Sequence, residues 1–404
     1  MNFIKSKDGN VLICILFDGL GYDIVKKTSF SNNVLEDLRP LKTVLGYSPA
    51  AQTSILTGLY PEEHGGLCVY YRSKDSVFDW MRIFPLISED IRKKLLKDAA
   101  RVTRSLFNIT GHFNIWDIPY EILPYFQLFE QKSIYASHPF ETFLTILDEA
   151  RDTGVSISTY WWNTPEEQIL FETEEKLRKR QASFHFLYIS KTDHLIHTLG
   201  NNIANIKNEI DFYDKRIRQI YKIAKENYHE VSLLVFSDHG MLDITDRIDV
   251  MTPISGLSYH LGKDYLAFYD ATMVRFWFDN PSCRQEIIDI MLDIKGIRLL
   301  SDFELKRLGC LFPDRRYGEM IYLAESGKII SPNYFGSQNN ILAMHGYHPE
   351  ENGYEAFAGS SNIDIREIQT IKDLHMIMRQ QILKKFNWLE DKEDKWKIKA
   401  SRYS

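Results

Sequence analysis

Val11-Leu12-Ile13-Cys14-Ile15-Leu16-Phe17-Asp18-Gly19 is an unbroken apolar run that stops at a carboxylate and a glycine. A run with no polar alternation suits a strand covered on both faces, as in parallel sheets flanked by helices. The carboxylate at its carboxyl end then falls where open α/β sheets carry their sites. Two more runs repeat the pattern: FHFLYIS at residues 184–190, and VSLLVF at 231–236, which leads into Ser237-Asp238-His239-Gly240. Residues 140–150 and 166–181 have helix-forming composition, and 155–160 read as a shorter strand. Residues 203–229 place apolar side chains at three-to-four spacing, which predicts a long amphipathic helix. Strands alternating with helices predict an α/β fold with a mostly parallel central sheet and helices on both faces.

Between the first two runs lies TVLGYSPAAQTSILTGLYPEEHG, residues 43–65. Serine is a favoured N-cap, proline is tolerated at the first helical position, and glycine often stops a helix. The reading is a short helix from Ser48 to Thr57, with Ser48 as its N-cap and Gly58 just past its end. The free N–H groups at such a helix start suit an anionic phosphoryl or sulfuryl group.

The chain has 404 residues, 44% hydrophobic and 26% charged, enough for a large core. Its net charge of −6 gives no basic field to displace counterions, which excludes a general nucleic-acid binder. Cys14, Cys68, Cys283 and Cys310 form no CxxC pair, so neither a disulfide framework nor a cysteine zinc site is expected. The first apolar run is interrupted by Asp18 and reads as a strand rather than a signal peptide. No segment approaches the roughly 18–20 apolar residues of a membrane span. A cytoplasmic location without membrane attachment is the expectation, and the oligomeric state stays open.

One catalytic domain over residues 1–404 is expected. Residues 67–139 form an excursion over the sheet and part of the pocket wall. Residues 246–340 form an inserted smaller lobe, with strands at 273–278 and 319–324 and a helix at 283–295. Residues 363–404 form a helical tail that frays from 392 onward. Residues 88–106 carry short helical patches within the excursion.

Chemistry-bearing groups collect at four further places. Asp18 follows the first strand, Asp193 and His197 follow the second at i and i+4, Asp238 and His239 follow the third, and His345 comes late. Taken singly, each has a dull explanation as a cap, a turn or surface polarity. Together with Ser48 they make the inventory of a two-metal site: three aspartates, three histidines and a hydroxyl. Zinc accepts both imidazole nitrogen and carboxylate oxygen. Two such ions, about 3.5–4 Å apart, clamp the attacking and leaving oxygens of an in-line displacement.

With these motifs in this order, the sequence resembles the alkaline phosphatase superfamily, and within it the nucleotide pyrophosphatase/phosphodiesterase branch. The resemblance implies two divalent ions, zinc, with Asp18, Asp238 and His239 on one, Asp193, His197 and His345 on the other, and Ser48 touching both. It implies Ser48 as nucleophile and a phospho-serine intermediate, with a small phosphorylated, nucleotide-like substrate. His64 belongs to the PxxHG signature and reads as structural, while His194 and His348 are extra histidines outside the ligand set. The chain departs from the branch in three places. Serine stands for the usual threonine nucleophile, and Ala51 stands for an asparagine inside the helix. Val69 stands for an asparagine that holds a phosphoryl oxygen, and Gln52 is a candidate replacement. The sulfatase pattern of cysteine, proline and arginine is not met.

The expected activity is hydrolysis of phosphodiester or pyrophosphate bonds. Alternatives are a phosphomonoesterase, or a phosphonate or sulfate ester hydrolase on the same scaffold, and a degenerate binding protein that kept the fold.

Overall fold

The strand Asn10–Phe17 lies inside a six-stranded sheet. The order across the sheet is Asp37–Leu41, Ala356–Ser361, Glu230–Ser237, Asn10–Phe17, Phe184–Ile189 and Ile157–Ser158. The last four run parallel, and Ala356–Ser361 is antiparallel to both its neighbours. This computed structural model describes residues 9–115, 117–335 and 340–385.

Strand periodicity sorts the first apolar run onto two faces. Val11, Ile13, Ile15 and Phe17 join a cluster with the helices Tyr22–Thr28, Glu166–Arg178 and Ile203–Asn227. Leu12, Cys14 and Leu16 join the opposite cluster, with the helices Ser48–Thr57, Ile146–Asp152 and Asp373–Lys385. At roughly 1.5–3 kcal/mol per buried large apolar side chain, this one strand helps anchor helices on both faces. The mostly parallel sheet with helices on both sides is the architecture that the sequence predicts.

The elements that differ do so for local reasons. Ala356–Ser361, AFAGSS, has little sequence signature of a strand because all its residues but Phe357 are small. Smallness is what the site needs, since a Cβ on Gly359 would lie 2.6 Å from Leu35 Cδ1. The strand expected over 155–160 shrinks to Ile157–Ser158, and the helix over 140–150 becomes Ile146–Asp152. Thr145 sets that later start, accepting from Asp148 N–H while the Asp148 carboxylate accepts from Thr145 N–H. The C-terminal helix starts at Asp373 rather than near 363. Ahead of it Ile363, Ile365, Ile368 and Ile371 enter the core from a run of bends and turns, consistent with their low helix propensity. Its expected continuation past 385 lies outside the described residues.

A second, antiparallel sheet follows the order Tyr265–Tyr269, Met273–Phe278, Met320–Ala324, Ile297–Leu299. The excursion contributes the paired strands Tyr70–Arg72 and Phe126–Leu128, and the helices Glu89–Lys97 and Ala99–Phe107. The excursion and this sheet share one apolar cluster, in which Tyr70, Phe78 and Phe126 meet Phe268, Trp277 and Tyr334.

Arg275 is fully buried at that junction. Its Nε donates to Asp270 Oδ2 at 2.7 Å and its Nη1 to the Tyr70 carbonyl at 2.8 Å. Its guanidinium also lies 4.7 Å from the centre of the Phe268 ring. Burial lifts the Asp270 carboxyl to about 6, against the pull of Arg275. Replacing Arg275 with Met would strand a buried carboxylate, so Arg275→Met is expected to cost about 3–5 kcal/mol. The double change Arg275→Met with Asp270→Leu should recover part of that in chemical denaturation. A single variant as stable as the parent would show that Arg275 does not stabilise the junction of the two segments.

Candidate active site

The parallel strands deliver their carboxyl ends to one side of the sheet, and the expected residues gather there. Asp18 directly follows Asn10–Phe17, and Asp238 directly follows Glu230–Ser237. Asp193 and His197 project from the helix Lys191–Leu199, one turn apart as their spacing predicts.

Ser48 is the first residue of its helix, and the N-cap is Tyr47, with φ −111° and ψ 179°. The expected capping role therefore fails by one residue. Its hydroxyl is instead aimed at the strand ends, with Oγ 3.2 Å from His239 Nε2 and 3.5 Å from Asp18 Oδ1. Gly46 sets the approach of the chain at φ +124°, where a Cβ would lie 2.5 Å from the Leu67 carbonyl oxygen.

Asp193 Oδ1 lies 3.3 Å from His197 Nε2 and 3.7 Å from His345 Nε2, and is buried without a hydrogen-bond partner. His197 Nδ1 is 2.7 Å from the Ala343 carbonyl, which places its proton there and leaves Nε2 as the acceptor. His239 Nδ1 meets the Gly240 carbonyl at 3.1 Å, with the same consequence for its Nε2. The His239 and His345 rings stack, with centres 4.1 Å apart.

Two groups of donor atoms result, each within 4.8 Å of one another. One is Asp193, His197 and His345, and the other is Asp18, Asp193 and His239, so the groups meet at Asp193. Asp238 stands just outside the second group. Its Oδ1 accepts from the N–H of Gly19 at 3.1 Å and of His239 at 3.0 Å, and its Oδ2 is 3.6 Å from His239 Nε2. All seven residues singled out from the sequence thus share one place.

Burial pushes the Asp18 carboxyl well up, and the charges of Asp238 and Asp193 push it further. Burial acts the same way on Asp193, but His197 and His345 outweigh it and hold that carboxyl well down. His197 is raised, because the Asp193 charge overcomes the cost of burial. His345 is depressed by burial and by His239, which leaves it neutral with one ring-nitrogen lone pair to offer.

Three neighbours carried no sequence signal. Tyr188 OH donates to Asp18 Oδ2, Tyr135 OH donates to Gln52 Oε1, and Tyr47 OH pairs with Thr272 Oγ1. Ala51 is buried in the apolar cluster, whereas Val69 lines a cavity of about 1080 Å³ that opens beside Ser48. Tyr47, Trp162 and Phe335 contribute aromatic wall to that cavity, and His194 lines it as well. His64 is buried between Ser54 Oγ at 3.0 Å and Gly66 N–H at 3.2 Å. Burial lowers its pKa to about 3, so it is a neutral brace for the turn. His348 faces Glu304 at 3.3 Å.

This fold, with its site at the strand ends, is alkaline phosphatase-like. Residues 12–274 match the family model of type I phosphodiesterase / nucleotide pyrophosphatase, and the chain belongs to that family of hydrolases acting on phosphoester bonds. His345 lies beyond the matched stretch. No curated protein matches the sequence. Solved structures with the same fold include murine ectonucleotide pyrophosphatase / phosphodiesterase 5, at 17% identity over 92% of this chain and 95% of that one, with a TM-score of 0.63. An inactive threonine-to-alanine form of the murine protein in complex with AMP aligns at 16% identity over 92% and 95%, with a TM-score of 0.64. The human counterpart gives 15% identity over 92% and 94%, with a TM-score of 0.64.

Replacing Gly46 with Ala would force a strained backbone against Leu67 and shift the start of the Ser48 helix. Gly46→Ala is expected to lose about 1–3 kcal/mol of stability, with hydrolysis falling in parallel. A variant with the parent's melting temperature and activity would show that this turn does not set the helix start.

Proposed function

We propose that the protein is a dinuclear zinc hydrolase that cleaves phosphodiester or pyrophosphate bonds of small nucleotide-like substrates, with Ser48 as its nucleophile. The observation that carries this reading is the meeting of two donor groups at Asp193, with Ser48 Oγ 3.2 Å from His239 Nε2 at their edge.

The residues present fit two ions. Asp193 Oδ1 and His345 Nδ1 are buried without hydrogen-bond partners. Among the described residues, no lysine or arginine pairs with Asp18, Asp193 or Asp238; the ion-pair contacts that Asp18 and Asp193 make are to histidine. Mixed carboxylate and imidazole donors suit zinc. Asp193, His197 and His345 would hold one ion, and Asp18, Asp238, His239 and Ser48 the other. When bound, the ions would supply Lewis acidity for the hydroxyl and for the phosphoryl oxygens.

The chain's own residues supply the rest. Ser48 Oγ attacks phosphorus, the bond to the leaving oxygen breaks, and phospho-serine is then hydrolysed by water. Asp18 Oδ1, 3.5 Å from Ser48 Oγ, is the acceptor for the hydroxyl proton, because the one Nε2 lone pair of His239 is committed to the ion. At the helix start Pro49 has no N–H, and those of Tyr47, Ala50 and Ala51 are bonded to backbone carbonyls, so the Ser48 N–H is the donor left for the anionic centre. The cavity's aromatic wall offers stacking for a base, and a murine protein of the same fold is solved with AMP.

Ser48→Ala is expected to cut hydrolysis of bis-p-nitrophenyl phosphate by about 10³-fold or more while the protein stays folded. Full activity in that variant would remove Ser48 as nucleophile. Measured side by side, the diester should be cleaved faster than p-nitrophenyl phosphate or p-nitrophenyl sulfate. A monoester preference would replace the diesterase assignment with a phosphatase. Chelation should abolish turnover and added zinc should restore it; turnover that survives chelation would contradict the metal reading.

A further inference from the structure

Gln52 sits one turn after Ser48 and shares its helix face, while Ala51 turns into the core. It is buried, and both of its polar ends are engaged. Its Nε2 donates to Asp18 Oδ2 at 3.1 Å and to Asp238 Oδ2 at 3.0 Å, so one amide spans carboxylates from two different strand ends. Its Oε1 accepts from Tyr135 OH at 2.8 Å. Tyr135 stacks on Tyr188 with ring centres 5.3 Å apart, and Tyr188 OH donates to Asp18 Oδ2. A carboxamide is planar, so fixing its oxygen fixes where both N–H groups point.

We propose that Gln52 is a positioning residue for one of the two ions, clamping Asp18 and Asp238 at a fixed separation without cancelling their charge. The proposal rests on the metal reading above. Two buried carboxylates side by side repel each other, and something must hold them. A lysine or arginine would do so, but would neutralise the site and repel a dication. A neutral amide holds the geometry and leaves both charges for the ion. Asp18 Oδ2 is filled by Gln52 and Tyr188, which leaves Asp18 Oδ1 for metal, while Asp238 Oδ2 keeps a second acceptor direction beside the Gln52 N–H.

The other donor group is held differently. His197 is oriented by the Ala343 carbonyl, and neither Asp193 Oδ1 nor His345 Nδ1 has a hydrogen-bond partner. Loss of the clamp should therefore weaken one ion and spare the other. Outer partners of metal ligands are worth roughly 10–100-fold in affinity.

The test titrates metal-free protein with zinc against a chromophoric chelator, for the parent, Gln52→Met and Tyr135→Phe. Methionine is similar in length and donates nothing, and phenylalanine removes only the hydroxyl that anchors Oε1. In Gln52→Met, one of two zinc equivalents is expected to weaken by about 10–100-fold while the other is unchanged. Tyr135→Phe should shift the same equivalent by less, and excess zinc should restore hydrolysis in both variants. Two unchanged equivalents, or two weakened alike in a protein with the parent's melting temperature, would overturn the clamp. A parent chain that takes up no zinc would refute the metal reading itself, a failure visible without any variant.

Discussion

Three carboxylates lie close together at the strand ends, with no lysine or arginine paired to them among the described residues. Asp18 and Asp238 are almost wholly buried, and Asp193 faces His197 and His345. Unpaired buried charge costs several kcal/mol per group, so such a cluster persists only where something offsets it. Backbone N–H groups of Gly19 and His239 offset part for Asp238, and Gln52 and Tyr188 offset part for Asp18. The remainder is a standing demand for positive charge, and divalent cations meet it. The parallel sheet creates that demand, because its strands end side by side and bring their terminal aspartates together.

The same sheet explains why the hydroxyl can be so well aimed. The Ser48 helix packs through Ala50, Ala51, Ile55 and Leu56 onto the face that Leu12, Cys14 and Leu16 supply. Its opposite side, carrying Ser48 and Gln52, then looks at the strand ends. The cavity beyond is walled by both accessory segments: Val69, Ile134 and Tyr135 from the excursion, and Ala271 and Phe335 from the second sheet region. Arg275 ties those segments together by bonding Asp270 on one side and the Tyr70 carbonyl on the other. Shape at the substrate end thus depends on a buried ion pair, and chemistry at the phosphoryl end depends on a strand with two apolar faces.

Much of this was legible in the residues. The three apolar strands declared themselves because both faces are buried, and the Asp193–His197 spacing declared a helix face. Ala356–Ser361 was not legible, since a strand of mostly small residues squeezed beside Leu35 carries one aromatic and no β-branched residue. Ser48 was read as a cap, but Tyr47 takes that place, and the difference frees the hydroxyl. Gln52 was singled out as a stand-in for a missing phosphoryl ligand, whereas its N–H groups are spent on Asp18 and Asp238. Tyr135 and Tyr188 were invisible, because their meaning lies in contacts more than 80 residues apart along the chain. Nor could the sequence say that the excursion and the second sheet share a core, since each alone reads as a patch of aromatics.

The most direct measurement is anomalous diffraction at the zinc edge from crystals grown with zinc. The account predicts two peaks, one bounded by Asp193, His197 and His345, the other by Asp18, Asp238, His239 and Ser48. A single peak, or peaks that avoid these side chains, would contradict it.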